Sequence, residues 1–291
     1  MTARGWALFS SMCVIWGIPY LLIRVAVRDL SPASLVLART GIAALLLVPI
    51  ALARDEVRPV LRRWRPVLAF AVIEIAVPWV LLSSAEKRLS SSLAGLLIAA
   101  VPLVGAVIAR TTGGRDRFGV VNVGGLFLGL AGVAAIVGLD LGGANARSLV
   151  EIAFVAICYA TGPAILSRYL GGLPMLGVIS VSLAVTALAY APIAAFSFPT
   201  RTPSASVLAS VAALAVICTA LAFLLFFALI AEIGPVRATV ITYVNPAVAA
   251  VLGVGILGER FTPGMGIGFA LVLAGSVLAT SSPGAFRASP A

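Results

Sequence analysis

The chain has 291 residues, 62% of them hydrophobic and 10% charged, with no histidine. Soluble domains carry roughly 45–50% apolar and about 25% charged residues, so too little polar surface is left here for a soluble fold. The composition also excludes a disordered chain, and three cysteines inside apolar runs, Cys13, Cys158 and Cys218, form no disulfide framework or metal-ligand spacing. The net charge of +10 comes from arginine apart from the single Lys87. No basic stretch is interleaved with aromatics as a nucleic-acid surface would be. Such an excess fits the loops of a membrane protein, so no nucleic-acid partner is expected.

Ten stretches reach the length of about 20 apolar residues that a spanning helix needs. They run over 5–25, 33–53, 66–84, 89–109, 118–139, 149–169, 173–196, 206–230, 236–257 and 264–281. Their apolar runs are continuous, not alternating, which argues against membrane strands. The first is too long for a cleaved signal peptide and has no small-residue cleavage site. The tail after Ser281 is rich in Pro, Ser and Ala, and is expected to fray. The expected fold class is therefore all-α, a polytopic membrane protein with ten transmembrane helices. Arg4, the arginines of 54–65 and those at 110–117, 168, 237 and 287 fall on one side. They outnumber Arg28, Lys87, Arg88, Arg147, Arg201 and Arg260 on the other, which predicts both termini in the cytoplasm.

Sliding the sequence along itself by 143–144 residues aligns Pro19 with Pro163, Arg24 with Arg168, Pro49 with Pro192 and Pro102 with Pro246. The same shift brings Asp116-Arg117-Phe118 onto Glu259-Arg260-Phe261 and Leu130-Ala131-Gly132 onto Leu273-Ala274-Gly275. The expected organisation is a first five-helix repeat over 1–140 and a second over 145–285. An odd number of spans per repeat inserts the second copy upside down, giving two inverted repeats around a central cavity.

Proline inside a spanning helix frees the carbonyl four residues earlier. Pro19, Pro102, Pro163 and Pro246 are expected to kink or gate paired helices near the membrane midplane, where repeat-built transporters bind their cargo. Glu74 lies mid-span, where an ionised carboxylate is costly unless it faces a cavity or a partner. It either stays protonated or pairs with a buried cation, for which Arg39, a structural or coupling charge, is the deeply placed choice. Cys13, Trp16, Tyr20 and Arg24 recur at steps of three and four on one helical face, so Trp16 and Tyr20 could line a cavity for an amphipathic solute. Trp79 and Ser83 share the segment of Glu74. Thr242, Tyr243 and Asn245 precede Pro246, and Tyr159 and Thr161 precede Pro163, offering polar groups to a substrate. The bland alternative for each is helix packing or interhelical hydrogen bonding.

Glycines at short helical steps, among them Gly124, Gly125, Gly129 and Gly132 and then Gly264, Gly268 and Gly275, read as close-packing faces. No phosphate loop and no Gly-x-Ser-x-Gly elbow is present, and there is no histidine to act as a base. The chain is not expected to be an enzyme or to use a cofactor or metal.

The sequence resembles the EamA-type branch of the drug/metabolite transporter superfamily. Ile15-Trp16-Gly17, Arg39, Gly234-Pro235 through Thr239, Tyr243 through Val248, Leu257-Gly258-Glu259-Arg260 and Leu273-Ala274-Gly275 carry the resemblance. Arg110 through Gly114 departs from the family's helix-end pattern. The resemblance implies ten helices around a cavity in a bacterial inner membrane, and secondary transport, often export, of amino acids or other small metabolites. Drugs, sugars or nucleosides are the alternative cargo; a channel or an enzyme acting on lipid is the alternative class. The expected partners are a small-molecule substrate and the bilayer, with a homodimer possible and a monomer sufficient.

Overall fold

The computed structural model describes residues 2–111, 119–138, 145–197, 199, 201–238 and 240–280. The boundary near 140–145, the tail after Ser281, the Asp116-Arg117-Phe118 triplet and most of the Arg110–Gly114 departure lie outside the described residues. Every regular element among the described residues is helical. The first span is α1 (Ala3–Ile15) and α2 (Ile18–Ala26), followed by α3 (Pro32–Ala53) and the short α4 (Val57–Leu61). The third is α5 (Trp64–Phe70), a π-helical segment Ala71–Ala76 and α6 (Val77–Ala85); the fourth is α7 (Ser91–Ile98) and α8 (Val101–Thr111). Then come α9 (Val120–Gly138), α10 (Ala146–Tyr169) and α11 (Met175–Ala195). The eighth is α12 (Ala205–Ala215), a second π-helical segment Val216–Leu221 and α13 (Ala222–Ile233). Short α14 (Pro235–Ala238), α15 (Ile241–Leu257) and α16 (Pro263–Thr280) complete the chain.

Nine of the resulting helices, among the described residues, are long and apolar enough to cross a membrane, while α15 is apolar but only 17 residues long. Their ends follow local chemistry. Ser31 precedes Pro32 and its hydroxyl accepts the Ser34 N–H at 3.0 Å, and Ser90 and Asn145 cap α7 and α10 in the same way. Gly258 closes α15 at φ 66°, a conformation that glycine alone adopts freely. Large apolar side chains face outward, with Leu45, Phe127 and Phe196 each more than two-thirds exposed. In water such faces would aggregate; in a bilayer they meet lipid.

The helices pair in a regular way: α3 lies along α11, α7 along α15 and α9 along α16, while α6 meets α10 and α2 meets α12. The α9–α16 crossing is built on glycine. A Cβ on Gly132 would stand 2.6 Å from the Gly268 carbonyl oxygen, and one on Gly268 would stand 2.6 Å from that of Gly132. Close backbone approach of this kind is how membrane helices gain packing energy without a hydrophobic drive between them. Gly124, by contrast, faces open space.

The four prolines differ in their local effect. The first span breaks at Trp16-Gly17, just before Pro19, and the fourth breaks at Ala99-Ala100, just before Pro102. Pro163 and Pro246 instead lie inside helices that continue through them. A proline near the start of a new helix needs no donor there, whereas one in mid-helix leaves a freed carbonyl and a bend.

Candidate functional site

The best candidate is a buried polar cluster assembled by five spans. Arg39, in the middle of α3, is 8% exposed, and its Nε donates to the Thr219 hydroxyl at 2.9 Å. Its guanidinium carbon lies 3.6 Å from the centre of the Trp79 ring, a cation–π contact. Thr219 belongs to the second π-helical segment, and its hydroxyl donates to the Leu214 carbonyl five residues back. The wide turn thus places the threonine for the arginine.

Glu74 occupies the other π-helical segment. Its side chain fills the space left by Gly162 on α10, one residue before Pro163: a Cβ at Gly162 would collide with the Glu74 carboxyl. The Oε2 atom is buried and has no hydrogen-bond partner among the described residues. Tyr159, three residues before Gly162, lies within electrostatic reach of both Glu74 and Arg39, and Tyr20 within reach of Tyr159 and Arg39. Cys158 neighbours Glu74 and Cys218 neighbours Arg39. Among the described residues the ion pairs are Arg88–Glu151 at 2.6 Å and Arg147–Glu151 at 3.0 Å. None joins Glu74 to Arg39, so the pairing that was one of the alternatives for Glu74 is not made.

The structure therefore brings together Tyr20, Arg39, Glu74, Trp79 and Tyr159. Other expected site residues have partners elsewhere. Trp16 packs against Phe223 and Phe226, with ring centres 6.0 and 4.7 Å away. Ser83 and Thr161 donate to carbonyls of their own helices, Trp79 and Ile157, each at 2.7 Å. Thr242 is exposed and Tyr243 half-buried.

Asn245 is buried, and with its amide oriented to satisfy its surroundings it donates to the carbonyls of Cys13 and Ile241, each at 2.9 Å. The Cys13 carbonyl would serve the Gly17 N–H in an unbroken helix; that N–H instead turns to Val14 at 2.9 Å. Asn245 thus satisfies a group that the break in the first span exposes. A Cβ on Gly17 would stand 2.5 Å from Val248, so Ile15-Trp16-Gly17 and Tyr243 through Val248 are packed on each other.

Two further acidic residues escaped the sequence reading as site candidates. Glu259 accepts from Ser91 N–H at 2.7 Å, Ser92 N–H at 2.8 Å and both serine hydroxyls, at the start of α7. Glu86 follows α6, is fully buried, and neither carboxyl oxygen has a hydrogen-bond partner among the described residues; Arg24 donates to its main-chain carbonyl. Glu86 showed in the sequence only as an acid beside a basic residue at a segment end, as at any loop, and Glu259 only as part of the repeated acidic-Arg-Phe triplet and of the stretch that carries the family resemblance. Cavities of about 390 and about 280 Å³ open at the periphery, the first lined by Trp64, Arg65, Leu68, Ala69, Val72 and Ile73 and the second by Arg24, Val27, Arg28 and Lys87. Neither is lined by Arg39, Trp79 or Tyr159.

A bundle of membrane-spanning helices with buried, oppositely charged side chains and breaks in mid-span has the build of a membrane transporter. The sequence matches the EamA-like transporter family twice, over residues 3–138 and 148–281. The chain belongs to that family, and so to the drug/metabolite transporter superfamily. It is 30% identical over 286 residues to the uncharacterized inner membrane transporter YedA of Escherichia coli strain K12, across 98% of this chain and 92% of the relative. The protein of the same name from Escherichia coli O157:H7 matches equally. One crystal structure superposes with a TM-score of 0.68 at 22% identity, over 96% of this chain and 97% of that one, which establishes a shared fold.

Proposed function

We propose that the protein is a secondary transporter that exports amino acids or similar small amphipathic metabolites across the bacterial inner membrane by alternating access. The observation that carries the reading is the separation of charge in the cluster. Arg39 is buried, Glu74 is half-buried with its Oε2 atom enclosed, both lie within electrostatic reach of Tyr159, and they make no ion pair with each other. A buried charge without a counter-ion is costly. A zwitterion brings one of each sign, its carboxylate for Arg39 and its ammonium for Glu74, while Trp79 and Tyr20 offer ring surface to its apolar part.

Architecture supports the same reading. A two-fold operation exchanging the halves would pair α3 with α11, α7 with α15 and α9 with α16, and turn the α6–α10 contact into that of α13 with α1. These are the pairs that meet, and the π-helical segments fall at matching places in the third and eighth spans. On this reading α15, with α14 before it, supplies a tenth crossing, and both termini lie in the cytoplasm.

Tracer counterflow in proteoliposomes tests the proposal, with and without a pH gradient. Saturable exchange of one or more amino acids above empty liposomes is expected. Flux confined to sugars, nucleosides or drugs would overturn the substrate class, and non-saturating flux without counterflow would overturn the carrier.

A further inference from the structure

The stretch that leads into the third span is unusually basic. Arg54, Arg58, Arg62, Arg63 and Arg65 are all exposed, with only Asp55 and Glu56 among them. Glu56 is engaged, since its carboxylate accepts the Gly177 N–H at 3.1 Å. Arg63 donates to the Tyr169 carbonyl at 2.9 Å, drawing in the end of α10, where Arg168 lies 5.5 Å from the Tyr169 ring centre. Neither ion pair among the described residues involves any of these arginines. The positive charge at this end of the bundle is left for something outside the protein.

The cavity of about 390 Å³ begins at the same point. Trp64, Leu68 and Val72 form one row at steps of four, and Arg65, Ala69 and Ile73 form the row beside it. Ala69, the smallest of the six, leaves the hollow between the rows. Trp64, Leu68 and Val72 are 57%, 41% and 40% exposed, so an apolar channel faces outward below a basic rim. Arg65 holds its guanidinium 5.3 Å from the Trp64 ring, at the depth where tryptophan marks a membrane interface. A ligand suited to this surface has an anionic head at the interface and an apolar tail running toward the bilayer centre.

We propose that this groove is a binding site for an anionic glycerophospholipid, its phosphate held by Arg62 and Arg65 and one acyl chain lying over Leu68, Ala69 and Val72. Basic residues at the end of a span attract anionic lipid electrostatically; the groove adds a seat for the chain. The site is independent of the transported substrate. It runs up to the π-helical segment that holds Glu74, so a bound chain would brace that turn from the lipid side.

The test uses the full-length protein in phosphatidylcholine nanodiscs containing a minor share of lipid brominated on its acyl chains. Bromine quenches tryptophan on contact, and the Trp64 component is the difference between the parent and Trp64→Phe. Brominated phosphatidylglycerol should quench this component several-fold more than brominated phosphatidylcholine at the same mole fraction. Arg62→Gln with Arg65→Gln, both at exposed positions, should remove the preference, as should Ala69→Phe, which fills the hollow. Equal quenching by the two lipids overturns the proposal, as does a preference that survives either variant. Loss of the preference on adding soluble glycerol phosphate would assign the arginines to free phosphate and overturn the lipid.

Discussion

The Glu74 carboxyl group lies where a side chain at position 162 would be, so the acid in the third span and the glycine in the sixth share one space. Gly162→Ala should therefore act on Glu74 before it acts on the helix. The new methyl forces the carboxyl out of its slot at an overpacking cost of about 1–3 kcal/mol. Thermal stability in detergent should fall, and flux with it. Glu74→Ala in the same chain should recover stability but not flux. Glu74→Gln, which keeps the shape, should insert normally yet lose flux or its pH dependence. A Gly162→Ala protein with parental stability, or a Glu74→Gln protein with parental flux and pH profile, would count against the shared space or against the acid's role.

Much of this architecture was legible because membrane helices write themselves in unbroken apolar runs. Glu74 and Arg39 were legible for the same reason, since a charge in such a run stands out. What the residues did not disclose was partnership. Helical spacing put Trp16 and Tyr20 on one face, but the break at Trp16-Gly17 separates them, sending Trp16 to the phenylalanines of α13 and leaving Tyr20 near Arg39. Asn245 read as a substrate ligand because nothing in sequence says that a carbonyl at Cys13 has lost its donor 232 positions away. The π-helical segments are invisible to a pattern tuned to 3.6 residues per turn, yet they present Glu74 and Thr219.

Glu259 links the end of α15 to the start of α7 by accepting two N–H groups and two hydroxyls there. Those N–H groups are among the four that any helix start leaves unpaired, and a carboxylate also answers the positive end of the helix dipole. Glu259→Gln would point an amide N–H₂ at donors, at a cost of about 1–3 kcal/mol. The unfolding midpoint should drop, whereas Arg260→Gln, at an exposed neighbour, should leave it unchanged. Equal midpoints for both variants would remove the cross-link from the account.

Asp29 makes a similar link in the turn between α2 and α3. Its carboxylate accepts the Ser204 N–H at 2.8 Å and hydroxyl at 2.9 Å, at the start of α12. The Ser204 main-chain donor, then its hydroxyl, then nearby Arg28 hold the carboxyl below the usual carboxylate range. A depressed value means that the contribution to stability is complete above the ordinary value of about 3.9 and disappears as pH falls through the folded value. The parent should lose more stability than Asp29→Asn between about pH 5 and about pH 3. Thermal melts across that window check it, and parallel curves would show that the link carries no pH dependence.

Arg39 gives the most direct test of the substrate. Its side chain is held by Thr219 and Trp79 and by no carboxylate within ion-pair distance among the described residues. Because it does not depend on Glu74, stability losses in Arg39→Gln and Glu74→Gln should add to within about 0.5 kcal/mol in the double variant, where a true ion pair would couple them more strongly. Binding should behave differently. A hydrogen bond between charged groups contributes about 1.5–3 kcal/mol, and tenfold in affinity corresponds to about 1.4 kcal/mol. If Arg39 receives the carboxylate of an amino acid, Arg39→Gln should weaken its half-saturation by about tenfold or more. The corresponding amino-acid amide, lacking that carboxylate, should compete poorly with the parent and be indifferent to the change. Arg39→Lys keeps the charge but loses the planar fork and its stacking on Trp79, so it should fall between the two. Equal half-saturation for acid and amide in the parent would mean that Arg39 serves the fold and not the cargo.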